Sequence, residues 1–236
     1  MGYCSVKSKS MKLRLKYLII LVLFTALAGC SERTQSQDPK AVETESDQPK
    51  LSSTPDDKKA VSAFKAFVVY KDKGSPNRFT PSGYMPNGEC LKMDDAYTQM
   101  CQEGKTCIKV NYSIECSKKG RNWAGIYWLN PPVNWGDRKG GYNLIGAERL
   151  TFWARGEKGG EQIEEFKIGG VGRGMDYPDS DNAFIGPVIL TKEWKEYTID
   201  LRGKDLSYIS GGFAWVTNTD VNPQECVFYL DDIQYK

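Results

Sequence analysis

The chain has 236 residues, 40% of them hydrophobic and 26% charged, with 32 Lys and Arg against 30 Asp and Glu for a formal net charge of +2. Its basic residues alternate with acidic ones and form no stripe, which argues against a nucleic-acid surface. It contains no histidine, which removes Ser-His-Asp and Cys-His hydrolases, histidine-ligated metals and the commonest general base.

In chain order, the first element is "MKLRLKYLIILVLFTALAGC", from Met11 to Cys30. Lys12, Arg14 and Lys16 precede an apolar run from Tyr17 to Leu27, which gives way to small residues. A basic start, a short apolar centre and a small-residue end predict a secretory signal over residues 1–30, with Met1 to Ser10 as an upstream extension. The ending "LAGC" resembles the lipobox of bacterial lipoproteins. The resemblance implies that Cys30 becomes the first mature residue and carries covalent lipid, palmitate among its acyl chains. Several buried acyl chains hold a protein on a bilayer, so the membrane is contacted through lipid alone. Ser31 follows where aspartate would favour inner-membrane retention; the resemblance therefore implies a cell-envelope location, on the outer membrane if the cell has two. The other reading is an uncleaved anchor with Cys30 a plain thiol.

Residues 31–60 contain no aromatic side chain, and Val42 and Leu51 are their only large aliphatics. Such a segment buries too little apolar surface to offset its ordering entropy. It reads as a disordered tether, reaching on the order of 30 Å as a flexible coil.

Residues 61–236 fit one domain with a real core. Strands are expected in "FKAFVVY", "TCIKVNY", "WAGIYW", "RLTFWAR", "EEFKIGG", "GPVILT", "KEYTIDL", "GFAWVTN" and "VFYLDDIQY". In "EYTIDL", Tyr197, Ile199 and Leu201 alternate with Glu196, Thr198 and Asp200. In "CIKVNY", Ile108, Val110 and Tyr112 share a face. That period of two, broken by Gly, Pro, Asn and Asp, belongs to antiparallel strands with one face on a core. The fold class expected is all-β, an antiparallel two-sheet β-sandwich or jelly roll. "KDLSYI" is expected to form one helical turn.

Five cysteines fall in this region: Cys90, Cys101, Cys107, Cys116 and Cys226. Export favours disulfides. Two bridges and a leftover thiol allow about fifteen arrangements, and Cys107 or Cys226, both in strand-like runs, is expected to be the buried free thiol. The absence of CxxC spacing argues against redox or zinc chemistry.

Catalytic signals are sparse. "GGVGRGMD" fits neither dinucleotide nor P-loop spacing. The carboxylate pairs Asp94–Asp95, Glu164–Glu165 and Asp231–Asp232 are strand neighbours, which point to opposite faces. They read as solvated surface rather than a glycosidase pair.

Aromatic side chains concentrate in "WAGIYWLNPPVNWG", residues 123–136. Trp123, Gly125 and Tyr127 alternate with Ala124, Ile126 and Trp128, and one of these sets must fill the sandwich. Pro131 and Pro132 cannot continue the strand, so Trp135 is expected in a loop beyond it. A second candidate is the polar loop "GRGMDYPDSDNAF", with Arg173, Asp176, Tyr177, Asp179, Asp181 and Asn182 between glycines that let backbone approach closely. Trp153 and Trp215 read as sheet packing, with one of them able to line a groove.

These stretches, with "RLTFWARGEKGGEQIEEFKIGG", "KEWKEYTIDLRGKDLSYISGGFAWVTN" and the closing "VFYLDDIQYK", resemble the galactose-binding-domain-like β-sandwich. In particular they are similar to the non-catalytic carbohydrate-binding jelly rolls that accompany polysaccharide-degrading enzymes. The likeness covers Phe64 to Lys236. It implies a glycan as partner, with a sugar ring stacked on Trp135 and contacts from Asn134, Trp128, Arg173, Asp176 and Tyr177. It also implies a structural calcium near the first and last strands, where Asp72, Asp231 and Asp232 hold the matching positions. Calcium needs six to eight oxygens, and Asp72 lacks a second early acidic partner, so capping of N–H groups by these aspartates is the competing reading.

The sequence is thus read as a lipid-anchored, monomeric envelope protein that binds polysaccharide without cleaving it and contacts no nucleic acid. The alternatives are a structural or assembly lipoprotein that docks a protein partner, and a sandwich-fold glycosidase or lyase.

Overall fold

The computed structural model describes residues 63–86, 88–115, 120 and 122–236. The signal, the lipobox with Cys30, the tether and Cys116 lie outside the described residues. Thirteen strands and no α-helix occur among the described residues: β1 (Phe67–Tyr70), β2 (Thr80–Met85), β3 (Leu91–Tyr97), β4 (Cys107–Tyr112), β5 (Trp123–Leu129), β6 (Arg149–Gly156), β7 (Gln162–Ile163), β8 (Glu165–Gly169), β9 (Asn182–Ile185), β10 (Val188–Ile189), β11 (Lys195–Asp200), β12 (Gly211–Asn218) and β13 (Cys226–Tyr235).

They form an antiparallel two-sheet β-sandwich. One sheet runs β11-β6-β13-β4-β3, with β1 added against β13; the other runs β2-β5-β12-β8-β9. A two-stranded ribbon, β10-β7, stands apart. Strand alternation builds the core. Leu150, Phe152 and Ala154 of β6 face inward with Ile108 and Val110 of β4, against Ala124, Ile126 and Trp128 of β5 and Phe213 and Trp215 of β12. The rings interlock across the gap: Phe152 lies 4.6 Å from Phe166 and 5.1 Å from Phe213, and Trp215 meets Phe228 edge-on at 4.9 Å. Each of these aromatic contacts adds about 1 kcal/mol to the burial itself.

The core settles the two faces of β5. Trp128, expected as a possible sugar contact, is fully buried with Ala124 and Ile126 and packs edge-on against Phe213 at 5.4 Å. The outward set is Trp123, Gly125 and Tyr127. Trp215 is likewise core.

Several sequence expectations change. "FKAFVVY" is a strand only over Phe67–Tyr70, and "GPVILT" only over Val188–Ile189. "KDLSYI" forms no helical turn: Leu206 enters the core, and Ile209 bridges Tyr142 in antiparallel sense. β2, β3, β7 and β9 join the expected set. Cys101 and Cys107 are bridged, Cys90 is also in a disulfide, and Cys226 is the buried free thiol; Cys107 is therefore not the leftover. Burial pushes the Cys226 thiol up to about 12, which keeps it protonated and inert.

Candidate functional site

The outer face of the five-stranded sheet carries a transverse row fixed by register. Gly83 of β2 pairs Tyr127 of β5, Tyr127 pairs Ala214 of β12, Ala214 pairs Lys167 of β8, and Lys167 pairs Phe184 of β9. Four inter-strand steps of about 4.8 Å make this row roughly 19 Å long. Its residues are small at Gly83 and Ala214 and aromatic at Tyr127 and Phe184. Phe184 is 60% exposed. Tyr127 is buried with Leu129, Val171 and Ala214 in a small satellite cluster, and its hydroxyl donates to Gly169 O at 3.0 Å.

Two loops stand over this face. The first, residues 130–138, ends β5 and carries Trp135. Its indole sits above Gly83, where a Cβ would lie 3.1 Å from the ring, and meets Tyr127 edge-on at 5.9 Å. Trp135 keeps 36% of its surface, so the ring is partly covered by Gly83 and Tyr127 and partly exposed.

Asn134 has a different role from the one expected. It is completely buried. Its Oδ1 accepts from the N–H groups of Gly136 (3.1 Å) and Arg138 (3.2 Å), and its Nδ2 donates to Arg138 O (2.9 Å) and Asn130 O (3.4 Å). Its amide is spent on the loop and presents Trp135 rather than touching a ligand. Val133, β-branched, is held at φ 61° in the left-handed region, with its N–H donated to Ser82 Oγ at 2.9 Å. Such a residue persists only where its surroundings over-determine it.

The second loop, residues 170–181, is pinned by Asp179. The Asp179 Oδ1 accepts from Ser210 N and Ser210 Oγ, each at 2.6 Å, and Oδ2 accepts from Val171 N (3.1 Å) and Gly211 N (3.2 Å). Burial raises its pKa while those four bonds oppose the shift. The two loops touch backbone to backbone at Gly136 and Gly172. A Cβ on Gly136 would lie 2.5 Å from Gly172 Cα, and both glycines hold positive φ. Tyr177 N donates to Gly136 O at 3.0 Å and locks the contact.

Beside this junction lies a cleft of about 590 Å³, lined by Lys167 and Asn182 from the sheet and by Arg173, Pro178, Asp179 and Asp181 from the loop. Lys167 connects it to the aromatic row, with its Nζ 6.0 Å from the Tyr127 ring centre. Of the expected contacts, Arg173 lines the cleft. Asp176 and Tyr177 are exposed on the same loop but outside it. Trp135 stands across the loop junction from the cleft. Sequence pattern alone does not mark Lys167, Tyr127 or Phe184 as contacts. The available signal was the alternation of "EFKIG", which sends Phe166 and Ile168 inward and Lys167 outward.

Of the aspartates expected near calcium, Asp72 and Asp231 accept backbone N–H groups, while Asp232 keeps its Oδ1 buried without a hydrogen-bond partner. Asp72 Oδ1 accepts from Lys105 N (2.7 Å) and Thr106 N (2.8 Å). Asp231 Oδ2 accepts from Gln102 N (2.9 Å) and Glu103 N (3.1 Å), and its Oδ1 from Asp232 N (2.9 Å). Asp232 Oδ2 accepts from Gln234 Nε2 at 2.7 Å. N–H dipoles aimed at the Asp72 and Asp231 oxygens oppose a cation there. No cluster of three or more metal-ligating side chains occurs among the described residues. Asp72 and Asp231 instead tie down the loop between β3 and β4.

No family model matches the chain, and no curated protein matches it in sequence. Among solved structures it is similar to the family 30 carbohydrate-binding module of a cellulosomal cellulase of Clostridium thermocellum, at 17% identity and TM-score 0.46, covering 73% of this chain and 97% of that one. Another family 30 carbohydrate-binding module aligns at 15% identity and TM-score 0.49, covering 73% and 98%. A variant of a family 29 carbohydrate-binding module aligns at 10% identity and TM-score 0.41, covering 72% and 89%.

Proposed function

We propose that this protein is lipid-anchored in the cell envelope through Cys30 and holds a glycan, without cleaving it, on the outer face of its five-stranded sheet. The observation that carries the glycan reading is Trp135: a partly exposed indole seated on Gly83 and Tyr127, across the loop junction from a polar cleft. A pyranose ring has a face of C–H bonds that covers an indole plane, and its equatorial hydroxyls suit the side chains of Asn182, Arg173 and Lys167. The row from Gly83 to Phe184, roughly 19 Å long at ordinary strand spacing, has room for several linked sugars. The site contains no opposed pair of free carboxylates, because Asp179 and Asp181 are both engaged by their own loops. This favours binding over hydrolysis. The anchor rests on the signal and its "LAGC" ending.

The test is affinity electrophoresis of the full chain, solubilised in mild detergent, through gels cast with a panel of soluble polysaccharides. At least one should retard the protein, and Trp135→Ala should weaken that binding at least tenfold. Retention by none, or equal binding by Trp135→Ala, sinks the site. In the same preparations, Cys30→Ser should abolish labelling by palmitate; retained label removes the anchor.

A further inference from the structure

The charges around the cleft are not equally available. Counting its lining residues and their direct ion partners, the cations are Lys167, Arg173 and Lys204, and the anions are Glu165, Asp179 and Asp181. The formal charges balance, but the partnering does not. Lys167 Nζ is 3.2 Å from Glu165 Oε2. Asp179 spends both oxygens on four donors of its own framework. Asp181 Oδ1 accepts from Asn182 N (2.7 Å) and Lys204 Nζ (3.3 Å), and its Oδ2 from Asp205 N (3.2 Å). Of these six side chains, Arg173 alone is exposed and makes no hydrogen bond or ion pair to a described residue. It stands between Gly172 and Gly174, which carry no side chains and both hold positive φ.

A guanidinium is a planar fork of five donors that matches a carboxylate bidentately, and such bonds are roughly twice as strong as neutral ones. Hydroxyls alone leave its charge uncompensated. Of the anions nearby, Glu165 faces Lys167, Asp179 and Asp181 face their own loops, and the exposed Asp176 of the same loop makes no ion pair with Arg173. We infer that the glycan bound here carries carboxylate groups, as a uronate does, and that Arg173 grips one of them at the cleft while the ring plane rests at Trp135. This rests on the glycan-binding reading and narrows it to acidic polysaccharide.

The experiment compares binding of the full chain to polygalacturonate, alginate and glucuronoxylan with binding to each polymer after its carboxyl groups are reduced to alcohols. At least one acidic polymer should bind tenfold or more tightly than its reduced form, with that advantage falling as salt is raised from 0.05 to 0.5 M. Arg173→Gln should erase the advantage, so that the acidic polymer and its reduced form bind the variant equally. Arg173→Lys, which keeps the charge but loses the fork, should retain only part of it. If every acidic polymer binds no better than its reduced form, or if Arg173→Gln keeps the preference, the inference fails while glycan binding stands. If no polymer, acidic or neutral, is bound, the functional reading itself fails and takes this one with it.

Discussion

Both sheets lay a loop over their outer face, and the outcomes differ. On the six-stranded sheet the transverse row is Arg155 of β6, Tyr229 of β13, Lys109 of β4 and Asp94 of β3. Three of these are long side chains that stack: Arg155 lies 3.8 Å above the Tyr229 ring, and Lys109 lies 5.5 Å from it. Trp194 covers Arg155 and donates its Nε1–H to Met100 O at 2.8 Å. The covering loop is cross-linked by Cys101–Cys107, and its N–H groups are taken by Asp72 and Asp231. Arg155 ends only 4% exposed. On the five-stranded sheet the row is Gly83, Tyr127, Ala214, Lys167 and Phe184, with nothing tall at two of its five positions. Its loops are held by Asn134 and Asp179 and meet at two glycines, and they leave a 590 Å³ cleft beside them. Side-chain size in the row therefore decides which face is filled by the protein and which keeps room for a guest.

The largest effect separates core from site within one aromatic stretch. Trp128→Ala removes a fully buried indole packed on Phe213, and should destabilise the fold by about 3–5 kcal/mol in urea unfolding. Trp135→Ala, seven residues on at a side chain that keeps 36% of its surface, should cost clearly less stability than Trp128→Ala while removing binding. Equal losses of stability in the two variants would mean that Trp135 is core, and the contrast between the faces would collapse.

The closed face supplies a smaller effect. Replacing Cys101 and Cys107 together by Ala opens a loop of sequence separation 6, for which chain entropy gives about 2 kcal/mol. The urea midpoint should fall accordingly, with glycan affinity unchanged within twofold. A loss of affinity would show that the two faces are coupled.

Alternation made the central strands legible. "CIKVNY" and "EYTIDL" alternate inward and outward as a half-buried strand must, and Cys226 lies in such a run. β2 was not legible, because "TPSGYM" contains Pro81 and Gly83 and is a strand only through pairing with β5. β3, "LKMDDAY", is an edge strand whose outward side is polar, and only β4 defines it. For the site, the prolines placed Trp135 in a loop, and the glycine-rich run marked the loop of Arg173. The amide of Asn134 reads from sequence as a sugar contact. Its real partners are loop N–H and C=O groups whose positions depend on the folded turn. Lys167 gains significance only because the loop of residues 170–181 forms a cleft above it, a tertiary fact that strand period cannot carry.

The smallest effect concerns acidity, and it tests the closed face alone. Burial raises the Asp231 carboxyl to about 6, with bonds from Glu103, Asp232 and Gln102 N–H opposing and the neighbouring Asp232 charge adding. The neighbouring Asp232 is raised by burial and by the Glu103 charge, while Lys71 and Lys236 lower it. A carboxyl whose folded pKa lies above its unfolded value binds its proton more tightly when folded. Its contribution is therefore complete below about pH 4 and is lost as pH rises through about 6. Asp179 on the open face is raised in the same direction. Asp72 and Glu157 are held down by hydrogen bonds, so they act with the opposite sign, below the ordinary carboxylate range. Between pH 7 and pH 5 the raised group dominates, and linkage gives about 1 kcal/mol of added stability on acidification. For a domain of this size that is about 3 °C in melting midpoint. The midpoint should therefore rise from pH 7 to pH 5, and Asp231→Asn should flatten the rise. A midpoint that falls over that interval, or a slope unchanged in Asp231→Asn, would mean that Asp231 is charged and well solvated, and that the loop over the six-stranded sheet does not seal it.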